Sequence, residues 1–381
     1  MPLEQVHVIG AGVMGADIAA WAALHGCRVT LQDRAMPLIE AALERARGLL
    51  ARRLRDPQQA AAAAGRLGAD LEGAALGQAD VVIEAIFEDL QGKRELFAAI
   101  EPRLKPGSLL ATNTSSLPLE ALGHSLARPE RLVGLHFFNP VAQMPLVEIV
   151  HSDSTDPLMR SAALAFARKL DKLPVPCRSA PGFIVNRVLM PYLQEALYAA
   201  QEGVPLAAID AAAERFGMPM GPVELADVVG LDVLAHAGET VATGLGRPVP
   251  ELVHLRELIA LGKLGRKTAA GFYPWRDGKP VKSRETPAPP EFTDRLILVL
   301  VNECVACLRE HIAADADLID AAVLFGTGFA PFRGGPLAYA RTRGVTAVIG
   351  RLQELTTRHG ERFRPDPGWS LLAGSAQAAP L

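Results

Sequence analysis

The feature that most constrains the fold is a glycine-rich run near the N-terminus. Residues 6–9 (VHVI) have the composition of a short buried strand. Gly10-Ala-Gly12-Val-Met-Gly15 follows, and then ADIAAWAALHG, which has helical character up to a stop at Gly26. Residues 28–32 (RVTLQ) make a second strand ending at Asp33. Together they form a βαβ unit with a dinucleotide fingerprint. Gly10 permits the tight turn, Gly12 lets the backbone approach a pyrophosphate, and Gly15 allows helix to pack closely on strand. The helix N-terminus offers N–H groups and the positive end of its dipole to the phosphates. Asp33 lies 18 residues after Gly15 (33 − 15), the approximate spacing of a carboxylate that holds a ribose 2′-hydroxyl and repels a 2′-phosphate. The expected cofactor is therefore NAD rather than NADP. Arg34, next in sequence, is the one feature that pulls the other way.

An α/β rhythm continues. Residues 36–55 suit a helix, 80–86 (DVVIEAI) a buried strand, 90–104 a helix stopped by Lys105-Pro106-Gly107, and 108–112 another strand. The Ala- and Gly-rich residues 57–78 are read as a loop or weak helix over a sheet edge. Glu88, Lys93, Asn113 and Ser115 fall just beyond the C-terminal ends of strands, where an open parallel sheet binds its ligands. Asn, Ser and Thr also favour such places as ordinary caps and turn residues, above all Thr114 and Ser116.

Residues 133–150 (VGLHFFNPVAQMPLVEIV) hold one histidine, His136, and one carboxylate, Glu148, each inside an apolar run. An ionisable group in such a run needs a partner, because burying it alone is costly. If the runs are strands joined by the loop with Asn139, Pro140 and Pro145, the second strand carries Glu148 back towards His136. A neutral imidazole oriented by a carboxylate is a general base suited to neutral pH. The competing reading is a core ion pair.

From Pro181 strand signals give way to long apolar-periodic segments with Gly and Pro breaks, which read as helical. Residues 183–202 suit one long helix with Asn186 in its first turn. An internal repeat follows. Residues 187–222 and 295–336 share Arg187/Arg295, Glu195/Glu303, Asp210/Asp320 and Pro222/Pro336 in order. The polar, Pro-rich residues 276–291 separate the copies. The second copy has Asp294 before its arginine where the first has Asn186, so it is assigned a structural role. The expected architecture is an α/β Rossmann-type dinucleotide-binding domain over 1–179, followed by an all-α domain of two tandem repeats. Those repeats span 180–278 and 292–381, with a linker over 279–291.

Composition excludes several classes. A net charge of −3 gives no electrostatic footprint for nucleic acid or an anionic membrane. Apolar runs such as Leu296–Val301 are too short to span a bilayer. The start MPLEQVHVIG lacks the basic and apolar regions of a signal peptide. Cys27, Cys177, Cys304 and Cys307 form no disulfide framework, which fits a reducing, cytoplasmic setting. Cys304 and Cys307 have metal-ligand spacing, but no second pair completes a site, so they read as buried thiols on one helix face and no metal is expected.

The stretches VIGAGVMGADIA, VVIEAIFEDLQGKRELF, ATNTSSLPLEAL, RLVGLHFFNPVAQMPLVEIV, PGFIVNRVLMPYLQEA, FGMPMGPVELADVVGLDV and GRKTAAGFYPW run in order across residues 6–275. In that order they resemble the L-3-hydroxyacyl-CoA dehydrogenase family. The resemblance implies oxidation of an L-3-hydroxyacyl-CoA to the 3-ketone. It makes His136 the base, Glu148 its orienting partner, and Ser115 a contact to the substrate oxygen and nicotinamide carboxamide. Asn186 completes the substrate site. Met14, Asp33, Glu88, Lys93 and Asn139 fall at cofactor positions, beside Gly10, Gly12, Gly15 and Asn113.

The serine and lysine by which some members contact CoA align with Leu49 and Asp56, so Arg45, Arg52 and Arg53 nearby are candidates in their place. The second repeat resembles that of fatty-acid oxidation complex α-chains. It implies a pseudo-dimer in cis, hence a monomer or weak homo-oligomer, and an association with hydratase or thiolase partners. With no hydratase domain before residue 1, the chain alone is expected to lack hydratase activity. Two other readings stay open: a related dehydrogenase of carnitine or a sugar acid, and a non-catalytic, crystallin-like NAD-binding protein.

Overall fold

The computed structural model describes residues 3–283 and 291–374. It divides into two compact units, 1–183 and 184–381. The proposed linker residues 284–290 lie outside the described residues, as do Met1, Pro2 and 375–381.

The first unit runs β1 (Gln5–Ile9), α1 (Val13–Leu24), β2 (Arg28–Gln32), α2 (Met36–Arg53), α3 (Pro57–Ala64), β3 (Leu67–Ala69), β4 (Val81–Glu84), α4 (Leu90–Ile100), β5 (Leu109–Thr112), α5 (Leu119–Gly123), β6 (Leu132–Phe137), β7 (Leu146–His151), α6 (Pro157–Lys169) and β8 (Leu173–Arg178). The strands form one sheet in the order β3-β2-β1-β4-β5-β6-β7-β8. β1 to β6 are parallel, and β7 pairs antiparallel with β6. The reversal at β1, with β2 on one side and β4 on the other, is a topological switch point, and its carboxyl edge is where such sheets bind ligands. β4, β5 and β6 are buried along their whole length, as strands covered on both faces must be.

Residues 57–78, read as loop or weak helix, contain α3, the edge strand β3 and a 3-10 turn. Asp56 starts α3 by accepting from Gln58 N at 2.9 Å. The helix expected over 90–104 ends at Ile100 and tightens to a 3-10 turn at Glu101–Arg103. Pro102 has no N–H to continue the ladder.

The second unit contains α7 (Val185–Gln201), α8 (Leu206–Phe216), α9 (Pro222–Val229), α10 (Leu231–Gly244), α11 (Val253–Ala260), a two-strand ribbon of β9 (Trp275–Arg276) and β10 (Lys279–Pro280), then α12 (Phe292–Arg309), α13 (Ala316–Thr327), α14 (Pro336–Arg343), α15 (Val345–His359) and α16 (Trp369–Gly374). Strand structure does not vanish entirely after Pro181, because β9 and β10 pair antiparallel.

The two sequence copies repeat their local structure. Asp210 accepts from Val223 N (2.8 Å) and Glu224 N (3.2 Å) at the start of α9. Asp320 accepts from Leu337 N (2.7 Å) and Ala338 N (2.9 Å) at the start of α14. A Cβ at Gly221 would lie 2.1 Å from Asp210, and one at Gly335 2.4 Å from Asp320. The closing glycine is what lets each aspartate reach its helix end.

The arginines cross between copies. Arg187 Nε donates to Glu303 Oε1 at 2.7 Å, and Arg295 Nε to Glu195 Oε1. Outer pairs repeat the exchange, with Arg187 reaching Glu310 at 2.6 Å and Arg295 reaching Glu202 at 2.7 Å. A pairing in which i meets j′ and i′ meets j is the signature of a two-fold interface. Asp294, at the position of Asn186, pairs with Arg343 and Arg351.

Candidate active site

The glycine turn meets its steric requirements differently at each position. Gly10 has φ +114°, and a Cβ there would lie 2.4 Å from Ala85 O. A Cβ at Gly15 would lie 1.8 Å from Gly10 O, so helix and turn touch backbone to backbone. A Cβ at Gly12 would meet no protein atom within 4 Å. Nothing inside the chain demands glycine there, which fits a backbone kept bare for a phosphate. Gly12 is also the N-cap of α1, with no side-chain cap and no acidic residue in the first turn. The N–H groups and the dipole end are left to an anion. Asp33 holds the turn from below, with Oδ2 accepting from Ala11 N at 2.7 Å and Oδ1 from Arg34 N at 2.7 Å. Met14 is half-buried in the first turn of α1. These residues fit a dinucleotide.

The carboxyl edge of β4 and β5 is an organised charge cluster. Glu84, the last residue of β4, is fully buried. Lys93 Nζ lies 2.6 Å from Glu84 Oε1 and 3.3 Å from Glu88 Oε2. Glu84 also accepts from Thr112 Oγ1 at 2.6 Å and from Ile86 N at 2.8 Å. Glu88 Oε1 accepts from Thr114 Oγ1 (2.6 Å), Ser115 N (2.8 Å) and Ser115 Oγ (3.2 Å). Burial pushes the Glu88 carboxyl up, but Lys93 and the Thr114 and Ser115 hydrogen bonds outweigh it and hold it below its ordinary value. Glu88, Lys93 and Ser115 are therefore one assembly. Asn113 Oδ1 accepts from Phe137 N at 3.0 Å, so this side chain ties the end of β5 to the end of β6. Glu84 was not a candidate from sequence. Its signal was a carboxylate inside the apolar run of residues 81–86 (VVIEAI), the same signal that marked Glu148.

β6 and β7 place His136 directly opposite Glu148. Nδ1 lies 2.7 Å from Glu148 Oε2, with the His136 side chain 6% exposed and Glu148 fully buried. A carboxylate can only accept, so Nδ1 carries the hydrogen and Nε2 of the neutral ring keeps the lone pair. Phe138 and Phe183 pack on the imidazole, with ring centroids 4.4 and 5.6 Å away. Asn139 is exposed where the connecting segment begins.

Residues 5–180 match the model of the 3-hydroxyacyl-CoA dehydrogenase NAD binding domain, and 182–275 match that of the family's C-terminal domain. The chain belongs to the 3-hydroxyacyl-CoA dehydrogenase family. It is similar to the fatty acid oxidation complex subunit alpha of Acinetobacter baylyi, 34% identical over 373 residues covering 91% of this chain and 52% of the relative. The chain thus spans about half the length of the curated relatives it matches. Among solved structures it is similar to 3-hydroxybutyryl-CoA dehydrogenase of Escherichia coli, with TM-score 0.88, 28% identity and coverage of 99% and 98% of the two chains. It is also similar to FadB2 of Mycobacterium tuberculosis, with TM-score 0.69, 35% identity, and coverage of 72% of this chain and 99% of that one.

The first unit is thus the family's NAD-binding domain, and its candidate site residues form three groups along one sheet: the glycine turn with Asp33, the Glu84–Lys93–Glu88–Ser115 cluster, and the His136–Glu148 pair. Asn186 lies in the first turn of α7 and belongs to the second unit. Leu49 is buried and Asp56 caps α3, so neither is placed as a polar contact for CoA. Arg45 is bound to Asp17 through two hydrogen bonds of 2.7 and 3.0 Å. A groove of about 280 Å³ is lined by Arg45, Arg52, Arg53, Pro140, Ala142 and Gln143, among others. Cys304 and Cys307 are buried free thiols, and no group that could hold a metal ion is found among the described residues. No helix there is long and apolar enough to cross a membrane.

Proposed function

We propose that this chain catalyses reversible NAD-dependent oxidation of an L-3-hydroxyacyl-CoA to the 3-ketoacyl-CoA, with His136 as general base. The observation that carries this reading is the buried 2.7 Å contact between His136 Nδ1 and Glu148 Oε2. It commits one ring nitrogen to the carboxylate and leaves Nε2 to the substrate hydroxyl. Bound NAD supplies the acceptor for the hydride. As the C3–H bond breaks, the hydroxyl proton passes to Nε2, the C–O bond becomes C=O, and Glu148 stabilises the imidazolium that forms. In reduction the imidazolium returns that proton to the alkoxide. Ser115 keeps its backbone N–H on Glu88 while its hydroxyl turns from Glu88 to donate to the reacting oxygen, and the family resemblance assigns Asn186 the same task. Met14, Asp33, Lys93, Asn113 and Asn139 are assigned to the cofactor with the glycines.

Arg52 and Arg53 are assigned to the CoA phosphates along the groove they line. We read the second unit as two copies of one helical module, 180–278 and 292–381. The crossed Arg187–Glu303 and Arg295–Glu195 pairs support a pseudo-dimer in cis. A monomer in the cytoplasm, working beside hydratase and thiolase activities, is the corresponding proposal. Light scattering after size exclusion tests the monomer, and an obligate dimer through 180–275 counts against it.

The reaction itself is tested by NADH consumption with acetoacetyl-CoA and longer 3-ketoacyl-CoA substrates, beside NAD reduction with carnitine and sugar acids. Turnover restricted to the CoA thioesters is the expected result. Turnover of only the free acids moves the chain to a sister activity, and no turnover with intact NADH binding leaves a binding protein.

A further inference from the structure

Lys172 stands immediately before β8 with its side chain buried. Its Nζ donates to Val141 O at 2.5 Å and to Met144 O at 2.7 Å. It also lies 4.1 Å from the centroid of the Trp21 ring. Two carbonyls and one aromatic face account for the three donor directions of an ammonium. Trp21 is itself fixed on α1, where its Nε1 donates to Leu170 O at 2.7 Å. The next residue, Leu173, donates its N–H to Pro145 O at 2.8 Å. Both carbonyls bound by Lys172 belong to residues 138–145, the connection between β6 and β7. His136 lies just before that connection and Glu148 just after it. The same connection supplies Pro140, Ala142 and Gln143 to the arginine-lined groove. A lysine taken out of water to grip a loop rather than a carboxylate is an expensive arrangement.

We propose that Lys172 is a positioning residue: its ammonium clamps residues 138–145 against α1, holding the His136–Glu148 pair in register and setting one wall of the groove. The proposal rests on the dehydrogenase reading for its catalytic consequence, but not for the clamp itself. The charged groups facing the ammonium are Arg53 at the end of α2, His25 at the end of α1, and Asp171 beside it in the chain. Burial first, and then Arg53, push Lys172 down to about 8, against the pull of Asp171. The buried charge is thus a cost to the folded chain, and above that pH the neutral amine still has two N–H donors for the same two carbonyls.

The test compares wild type with Lys172→Met, which keeps an apolar stem, and Lys172→Arg, which keeps a charge that does not titrate. Hydrogen exchange is followed peptide by peptide, and kcat/KM for acetoacetyl-CoA is measured, both at neutral pH. The methionine variant should exchange roughly tenfold faster in 138–146, with β1, β4 and the second unit unchanged, and should lose roughly tenfold or more in kcat/KM. The arginine variant, which keeps a charged donor towards the two carbonyls, should recover part of both losses. Unchanged exchange in 138–146 in the methionine variant overturns the proposal. Faster exchange spread evenly over the chain also overturns it, because that is the mark of a merely structural lysine. If the methionine variant does not fold, Lys172→Gln, too short to reach both carbonyls, takes its place with the same expected and overturning results. If wild type turns over no 3-ketoacyl-CoA, the dehydrogenase reading falls, and the exchange comparison still decides the clamp.

Discussion

Replacing Glu148 by glutamine isolates the charge of the carboxylate from its shape. The amide oxygen can still accept from His136 Nδ1, so the imidazole keeps its tautomer and its place between Phe138 and Phe183. What disappears is the negative charge beside the imidazolium that forms when the substrate proton arrives. Oε2 lies 2.7 Å from Nδ1, and both side chains are nearly or fully buried, so water screens the pair little. Two unit charges with centres about 4 Å apart interact by about 4 kcal/mol at an effective dielectric constant of about 20. That energy is present after proton transfer and absent before it, so its loss raises the barrier. At about 1.4 kcal/mol per factor of ten, Glu148→Gln should lower kcat for 3-hydroxyacyl-CoA oxidation roughly a thousandfold. The assay is NADH formation at saturating substrate, with NADH binding measured by fluorescence as a control for folding. A loss under about tenfold with normal cofactor binding would refute the reasoning, since Glu148 would then be an ordinary partner of a core histidine.

Three further outcomes follow. Asp33 favours NADH even with Arg34 beside it, so kcat/KM with NADPH should be lower by about a hundredfold, and equal use of both cofactors would contradict the assignment of Asp33. Arg295→Met leaves the buried Glu195 with Arg362 alone and should destabilise the chain by about 3 kcal/mol in urea unfolding, while the double change with Glu195→Leu should recover most of the loss; additive losses would deny the coupling. Lys172 titrates at about 8 in the folded chain against an ordinary 10.5, so the folded chain releases its proton first and the unfolded chain binds more protons between those values. Stability then rises with pH across that window, by roughly 3 kcal/mol at about 1.4 kcal/mol per unit, and the difference in unfolding free energy between wild type and Lys172→Met should show this rise; a flat difference would show that Lys172 is not desolvated.

Much of the fold was legible because its signals are local. The glycine turn needs backbone conformations that few other residues adopt, and β4, β5 and β6 are buried on both faces and so appear as unbroken apolar runs. His136 and Glu148 stood out because each is the lone ionisable group in such a run. β3 was missed because it is three residues long, lies at a sheet edge, and buries only Leu67 fully, which leaves no periodicity to read. Lys172 had no signal, since its partners are two backbone carbonyls and a ring contributed by a helix far away in sequence. Glu84 ends β4 inside an apolar run, whereas Glu88 lies in the loop beyond it, where a ligand-binding carboxylate is expected. The internal repeat was visible as matched residues, whereas the crossing of its arginines between copies is a property of packing that spacing alone does not contain.

The central claim is that His136 takes and returns the substrate proton in an NAD-dependent reaction. The most direct measurement is acetoacetyl-CoA-dependent consumption of NADH by wild type and by His136→Gln, with NADH affinity determined for both. The account predicts turnover by wild type, a loss of roughly two to four orders of magnitude in the variant, and NADH affinity unchanged within about twofold. A His136→Gln chain that keeps a near-wild-type rate would contradict it.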